Sequence, residues 1–169
     1  QMTTMVAIVP SRMASTRFPA KPLHPILGLP MIGHIIKRLN LSEAIDQVYI
    51  ATCDQEIFEY ATSIGGQAIM TADTHERCTD RTAEALAKIE ELHGKKFDIV
   101  AMIQGDEPGV PIDIFEKAAN VFKTDSEVKI INVMAPIFNN EELCDPNIVK
   151  VTVSKSNRAL YFSREPIPT

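Results

Sequence analysis

The apolar residues of this chain follow two alternating patterns, short continuous runs and a helical spacing. The continuous runs are typical of strands buried inside a sheet. They predict strands over residues 5–9, 48–52, 68–71, 98–104, 129–136 and 148–153. Because every residue from Ile99 to Ile103 is apolar, we expect the strand over 98–104 to be buried on both faces.

The helical spacing is clearest after Pro30, a residue type that favours the first turn of a helix. Ile32, Ile35, Ile36 and Leu39 stand at i, i+3, i+4 and i+7, which places them on one helix face. The same spacing predicts three further helices, with the inward stripes Ile57, Phe58, Ala61 and Ile64; Leu86, Ile89 and Leu92; and Phe115, Ala118, Ala119 and Phe122.

The expected helix ends are polar residues and glycines. We expect Asp54 to cap the second helix and Gly65 to end it. The third helix is expected to begin at Thr79 or Asp80 and to run to about His93.

Strands that alternate with helices of this length predict parallel βαβ units. We therefore expect an α/β fold with a doubly wound, mostly parallel sheet, and a single domain over residues 1–169. Ligands of such sheets bind beyond the carboxyl ends of the strands. Functional residues are thus expected just after Val9, Thr52, Thr71 and Gln104.

Composition and charge narrow the classes of function. Of the 169 residues, 45% are hydrophobic and 23% are charged, as in an ordinary soluble globular protein. No stretch has the roughly 18 consecutive apolar residues of a membrane span, and a net charge of −5 argues against a nucleic-acid partner. Three widely spaced cysteines without a CxxC pair favour a reducing, cytoplasmic location over a disulfide framework.

The uneven distribution of charge points to an anion site near the N-terminus. Residues 1–42 contain no Asp or Glu. The loop after the first strand, residues 10–23, carries cations and hydroxyl groups: Arg12, Arg17, Lys21, Ser11, Ser15 and Thr16. Arginine can bind two phosphate oxygens at once, and lysine supplies a compact charge. We therefore expect this loop to bind the phosphates of a nucleotide. The loop lacks the GxGxxG pattern, so an NAD-dependent oxidoreductase is disfavoured.

Two groups of residues are candidate metal sites. Asp106 follows the apolar strand over 98–104, after Gly105, and a carboxylate beside bound phosphates commonly holds Mg²⁺. Asp73, His75 and Cys78 could ligate zinc, but their spacing fits no standard zinc pattern. Asp106 is therefore the favoured metal ligand.

Four ordered motifs resemble one enzyme family. They are Arg12-x-x-Ser-Thr-Arg-x-Pro-x-Lys-Pro-Leu23, Gln104-Gly-Asp-Glu-Pro108, Asp145-Pro-Asn-x-Val-Lys150-Val and Ala159-Leu-Tyr-Phe-Ser-Arg164. Together they resemble the 3-deoxy-manno-octulosonate (Kdo) cytidylyltransferases, or CMP-Kdo synthetases. The resemblance implies a Rossmann-like fold of the nucleotide-diphospho-sugar transferase type. It also implies Mg²⁺-dependent transfer of CMP from CTP to an acidic sugar such as Kdo, with release of pyrophosphate, in lipopolysaccharide biosynthesis.

The resemblance also implies roles for individual residues. Arg12, Lys21 and Asp106 would be catalytic, with Asp106 as the Mg²⁺ ligand, while Gln104 and Arg164 would bind the sugar acid. The nucleotide would be bound by Pro10, Ser11, Arg12, Ser15, Lys21, His75, Cys78, Thr79 and Arg81. Of these, the residues from His75 to Arg81 belong to a segment that helps to recognise cytosine.

Departures from the family pattern keep alternatives open. The family has Ser-Gly where this chain has Arg77-Cys78, which leaves room for a cytidylyltransferase of another sugar acid or a phosphonate. A non-catalytic nucleotide-binding relative is a further alternative, although the presence of Arg12, Lys21 and Asp106 together argues against it. The family fold continues beyond the end of this chain with a second metal-binding Asp and a homodimer contact. We therefore expect a fold truncated on its C-terminal side, with nucleotide binding but little turnover.

Overall fold

The computed structural model describes residues 3–13, 23, 25–26, 29–105, 109–134, 136–146 and 149–167. The chain forms two compact units, Gln1–Lys129 and Ile130–Thr169. The single domain expected over 1–169 stays a prediction.

The described helices and strands follow the predicted alternation along the chain. The first unit contains β1 (Met5–Pro10), β2 (Pro25–Ile26), β3 (Leu29–Pro30), α1 (Met31–Leu39), β4 (Gln47–Thr52), α2 (Gln55–Ser63), β5 (Gln67–Met70), α3 (Cys78–His93), β6 (Ile99–Met102) and α4 (Asp113–Thr124). The second unit contains α5 (Asn140–Cys144), β7 (Lys150–Val153) and β8 (Ala159–Ser163). No helix in the described part of the chain combines the length and apolar character that crossing a membrane requires.

The first unit is built on a four-stranded parallel sheet with the strand order β5-β4-β1-β6. Alternate side chains of β1 enter two separate cores. Met5, Ala7 and Val9 pack with α1, α2 and α4, while Val6 and Ile8 pack with α3. Helices thus cover both faces of the sheet, which confirms the doubly wound α/β fold. The chain leaves β1 toward β4 and later returns to β6, so the switch in strand order lies between β1 and β6.

The ends of α2 and α3 agree with the prediction, whereas Pro30 lies one position before the first turn of α1. The stripe of α1 from Ile32 to Leu39 is buried as predicted, but Pro30 precedes the helix as its cap residue, with an extended ψ of 146°. Gly65 and Gly94 have φ values of 79° and 65° after α2 and α3. This left-handed conformation suits glycine and ends both helices.

Four expectations about burial and strands are wrong. Ile64, predicted in the inward stripe of α2, is 37% exposed, because it follows the last turn of the helix as its cap residue. Leu92 is 69% exposed, because α3 turns Arg81, Thr82, Ala85 and Ile89 inward instead. Val100 and Met102 are more than one third exposed. They lie on the α3 side of β6, an outer strand of the described sheet, and the core beneath α3 includes no residue of β6. Within the predicted strand over 129–136, the described residues form no strand and Ile130 is 80% exposed. Apolar sequence alone does not make a strand when no neighbouring strand supplies hydrogen bonds.

The second unit is organised around an antiparallel pair, β7 and β8. The sequence predicts a strand over 148–153, and Lys150–Val153 of that range form β7, while β8 was not expected as a strand. Lys150 is buried, and its Nζ donates to the carbonyl oxygens of Asp145 and Arg164. These bonds connect the beginning of β7 to the residue that follows β8.

Candidate functional site

The carboxyl ends of β1 and β6 are in close contact. A Cβ added to Gly105 would lie 2.9 Å from Oγ of Ser11 and 3.1 Å from the carbonyl oxygen of Pro10. The φ of Gly105 is not in the left-handed region, so it is this close approach that requires glycine. We call the loop over residues 10–23 the phosphate loop, after its predicted role. Its first residues and the Gln104-Gly105 segment lie side by side, as the sequence predicts.

Ser11 is the first residue after β1, and its backbone N–H donates to the carbonyl oxygen of Ala51 at 2.9 Å. Its Oγ is buried and has no hydrogen-bond partner among the described residues. Leaving a hydroxyl buried without a partner is unfavourable. This Oγ is therefore a candidate to bind a ligand at the end of β1.

Asp54 holds the beginning of the phosphate loop, a role that the sequence did not reveal. It occupies the cap position of α2 but makes no side-chain capping bond. Its Oδ2 instead accepts the backbone N–H of Met13 at 2.8 Å, so the predicted capping role is wrong. The side chain of Arg12, one residue earlier, is exposed. The only sequence signal for Asp54 was its position just beyond a strand end.

Several predicted site residues cannot be located. Ser15, Arg17, Lys21 and Asp106 lie outside the described residues, and their roles stay predictions.

The predicted cytosine-reading segment lies at the same edge of the sheet. It begins after β5, where the N–H of Thr71 donates to the carbonyl oxygen of Thr52 at 2.9 Å. Near its other end, Sγ of Cys78 lies 3.8 Å from Oε1 of Gln104. Thr79 follows in the first turn of α3 and is exposed. The fold thus brings together Cys78, which is predicted to bind the nucleotide, and Gln104, which is predicted to bind the sugar acid.

Arg81 differs from its neighbours because only 3% of it is exposed. Its guanidinium donates to the Thr71 hydroxyl and, at 3.1 Å, to the carbonyl oxygen of Ala72. These bonds fasten the segment to α3. A direct contact of Arg81 with nucleotide stays a prediction.

Glu84 is a second residue that sequence reasoning missed. Its carboxylate accepts the backbone N–H of Ala72 at 3.0 Å and lies 3.0 Å from Nε2 of His75 and from Nζ of Lys88. The hydrogen bond from Ala72, supported by His75 and Lys88, lowers the pKa of Glu84 to about 2. The available signal was its spacing: Glu84 stands three residues after Arg81, on the same face of a predicted helix.

This depressed pKa predicts a pH-dependent loss of stability. The bonds of ionised Glu84 stabilise the fold above its ordinary pKa of 4.5, and this contribution is lost as the pH falls through about 2. We expect Glu84→Gln to lower the Tm by about 3 °C at pH 7, because a partly exposed carboxylate contributes about 1 kcal/mol. The difference from wild type should shrink between pH 4.5 and pH 2.

Thermal unfolding followed by circular dichroism at several pH values measures this effect. Glu91→Gln is the matched control, because Glu91 is exposed on the same helix. A Tm difference between Glu84→Gln and wild type that stays constant down to pH 3 contradicts the assignment.

Arg164, the predicted sugar-acid residue, belongs to the second unit. Its side chain is exposed, and one guanidinium nitrogen donates to the carbonyl oxygen of Pro146 at 3.0 Å. That bond orients the guanidinium, while its contact with substrate stays a prediction.

A cluster of metal ligands and a cavity are two features typical of functional sites. Among the described residues, no three His, Cys, Asp or Glu side chains form a group that could hold a metal ion. A cavity of about 630 Å³ lies at the opposite edge of the sheet, against Met5, Asp46 and Asp113. None of the predicted site residues that the structure describes lines this cavity, so it is separate from the candidate site.

The chain matches known proteins over nearly its whole length. Residues 6–169 match the family model described as cytidylyltransferase. The 3-deoxy-manno-octulosonate cytidylyltransferase of Thermodesulfovibrio yellowstonii is 39% identical, covering 96% of this chain. The enzyme of the same name from Syntrophobacter fumaroxidans is 41% identical, covering 97% of this chain. The chain spans 64% of the length of both relatives.

A solved structure agrees with these sequence matches. It is that of a CMP:2-keto-3-deoxy-manno-octonic acid synthetase complexed with CTP, with a TM-score of 0.81 and 34% identity. The match covers 99% of this chain and 66% of that protein. The similarity confirms the Rossmann-like fold and the resemblance drawn from the sequence motifs. From residue 6 to residue 169, the chain belongs to the cytidylyltransferase family.

Proposed function

We propose that this chain is the nucleotide-binding part of a Kdo cytidylyltransferase, which transfers CMP from CTP to Kdo in lipopolysaccharide biosynthesis. One observation carries the proposal: Gly105 packs against Ser11 and Pro10. This packing places Ser11, at the beginning of the loop over 10–23, beside Gly105 at the switch in strand order. The proposed cations and the proposed carboxylate follow these two residues in the chain. The names of the two relatives and of the solved CTP complex support this substrate pair.

The proposed reaction is a displacement at phosphorus. The anomeric hydroxyl oxygen of Kdo bonds to the α-phosphorus of CTP, the bond to the bridging oxygen breaks, and pyrophosphate leaves. The proton of the hydroxyl is released to solvent. Arg12 and Lys21 neutralise the triphosphate, and Gln104 and Arg164 bind the acidic sugar. The protein therefore acts mainly by positioning and by electrostatic stabilisation.

The residues at the strand end fit a magnesium ion. Gly105 lets two backbone segments approach closely, and the carboxylate of Asp106, the next residue, is the kind of oxygen ligand that Mg²⁺ prefers. Bound there with phosphate oxygens, Mg²⁺ would polarise the α-phosphate and lower the pKa of the attacking hydroxyl. Asp106 is the proposed ligand.

The proposal extends to the complete protein. Because the chain spans 64% of the two relatives, we expect these 169 residues to bind CTP with little turnover. The complete protein is proposed to be a cytoplasmic homodimer that does not bind nucleic acid.

Pyrophosphate release by the complete protein tests the proposal. Each of the four nucleoside triphosphates is supplied with Mg²⁺, with and without Kdo. We expect release that requires CTP and Kdo together. Release that is independent of Kdo, or equal with all four triphosphates, contradicts the proposal.

The Arg77-Cys78 pair favours one alternative, a cytidylyltransferase for another acid. These two residues precede Thr79 at the beginning of α3, and Cys78 contacts Gln104, the proposed sugar-side residue. The same assay with other sugar acids and with a phosphonate distinguishes the two. Turnover with CTP and one of these, but not with Kdo, supports the alternative.

Asp54→Ala is expected to weaken CTP binding. Without the carboxylate, the N–H of Met13 loses its partner and the loop at Arg12 is less well positioned. We expect the KM for CTP to rise about tenfold with little change in kcat, and a smaller rise for Asp54→Asn, which keeps an acceptor. Glu56→Gln, an exposed position on α2, is the control. Equal kinetics for Asp54→Ala and this control would show that Asp54 does not support the loop.

A further inference from the structure

Both backbone polar groups of Ala72, the second residue after β5, are bound by charged side chains of α3. Glu84 accepts its N–H at 3.0 Å, and Arg81 donates to its carbonyl oxygen at 3.1 Å. Arg81 also donates to the hydroxyl of Thr71. Hydrogen bonds to charged groups are stronger than those between neutral groups. The position of Ala72 is therefore set by α3.

Lys88 extends this arrangement by one more turn of α3. Its Nζ donates to the carbonyl oxygen of Met70 at 2.8 Å and lies 3.0 Å from the carboxylate of Glu84. Arg81, Glu84 and Lys88 stand at i, i+3 and i+7, so they share one helix face. These three residues are called the α3 clamp below. The clamp holds three consecutive residues where the chain leaves the sheet.

The segment over residues 71–78, which begins at the clamp, runs along the carboxyl edge of the sheet. Its first residue, Thr71, is bonded to Thr52 at the end of β4. Its last contact joins Cys78 to Gln104, which follows β6. In the strand order β5-β4-β1-β6, these contacts lie on either side of β1. The phosphate loop begins at that strand, so the clamped segment flanks the proposed nucleotide site.

We propose that the α3 clamp selects the base of the nucleotide, an inference that rests on the proposed function. Cytosine and uracil have nearly the same shape but differ in hydrogen bonding, since cytosine has an amine where uracil has a carbonyl oxygen. A segment that distinguishes them must hold its donors and acceptors in fixed positions. The clamp does this through Ala72 and through His75, which Glu84 also contacts.

Arg81, Glu84 and Lys88 are thus positioning residues. The burial of Arg81 has a direct explanation in this role, because its guanidinium acts through Thr71 and Ala72.

Steady-state kinetics of the complete protein with CTP and with UTP test the clamp. The variants are Glu84→Gln and Lys88→Ala, with Glu91→Gln as the control of equal charge change on the same helix. For Glu84→Gln we expect the ratio of kcat/KM for CTP to that for UTP to fall about tenfold, through a higher KM for CTP, with kcat nearly unchanged. Lys88→Ala should change the ratio in the same direction but less, and the control should match wild type.

A merely structural role predicts a different result, because CTP and UTP would then lose efficiency equally in both variants. That result, or an unchanged ratio, overturns the proposal. Lys88 is exposed, so we expect Lys88→Ala to fold. If Glu84→Gln does not fold, the CTP to UTP ratio of Lys88→Ala decides between the two roles. Failure of the proposed function is seen separately, as absence of CTP- and Kdo-dependent pyrophosphate release by wild type. The clamp is then tested by the Kd values of CTP and UTP, measured calorimetrically on the same variants.

Discussion

Gly105→Ala is expected to lower the turnover of the complete protein with CTP by about tenfold. Displacing reacting groups by about 1 Å lowers rates about 100-fold, and the added methyl group requires a shift of a few tenths of an ångström. The new methyl group would lie 2.9 Å from Oγ of Ser11 and 3.1 Å from the carbonyl oxygen of Pro10. Ser11 is itself buried, and the carbonyl belongs to the backbone of β1. Because the carbonyl of Pro10 cannot rotate away, we expect the ends of β1 and β6 to move apart by a few tenths of an ångström at Pro10 and Gly105.

The same crowding should destabilise the fold by about 1–3 kcal/mol. Pyrophosphate release and urea unfolding measure the two effects. Gly109→Ala is the matched control, because a Cβ at Gly109 meets no atom within 4 Å. Adding Ser11→Ala to Gly105→Ala removes the nearer contact and should restore part of the stability. Wild-type turnover in Gly105→Ala would show that the contact between the strand ends does not position the loop.

Asp106→Asn is expected to lower turnover about 1000-fold, the effect of removing a preorganised charge at the reacting centre. The amide keeps the size of the side chain but removes the negative charge that Mg²⁺ binding requires. The Mg²⁺ concentration for half-maximal turnover should therefore rise. Treatment of wild type with EDTA should abolish turnover, and added Mg²⁺ should restore it.

The control for Asp106→Asn is Asp113→Asn. Asp113 is an exposed residue of α4 that forms an ion pair with Lys117 at 2.9 Å, and exposed pairs of this kind contribute little. Its substitution should leave turnover unchanged. Lys21→Ala should resemble Asp106→Asn in its large loss of turnover with CTP. Near-normal turnover in either Lys21→Ala or Asp106→Asn is incompatible with the proposed mechanism.

The order of helices and strands could be predicted because local patterns determine it. The apolar run in β1 and the stripe of α1 are properties of a few adjacent residues, and both are buried as predicted. Prediction was wrong where burial depends on a distant neighbour. The run in β6 suits a central strand, yet β6 is an outer strand of the described sheet. The buried face of α3 also differs from the predicted one, because the charged residue Arg81 is buried and Leu92 is exposed.

In the candidate site, too, contiguous motifs could be predicted and contacts between distant residues could not. The motif around Arg12 and the Gln104-Gly105 pair could be recognised because each is contiguous in the chain. Asp54 and Glu84 could not, because an acidic residue near a helix start or on a helix face is usually exposed to solvent. Both matter because their carboxylates accept hydrogen bonds from distant backbone N–H groups, Asp54 from Met13 and Glu84 from Ala72.

By itself, the sequence determined the α/β class, the cation-bearing loop after the first strand and the family to which the chain belongs. Local periodicity and contiguous motifs carry that information. Only the tertiary structure decided that Gly105 packs on Ser11, that Asp54 holds Met13 and that α3 holds Ala72. Met13 and Asp54 are 41 residues apart, and they meet because β1 and β4 are neighbours in a parallel sheet. Such contacts depend on strand order and register, which local sequence patterns do not specify.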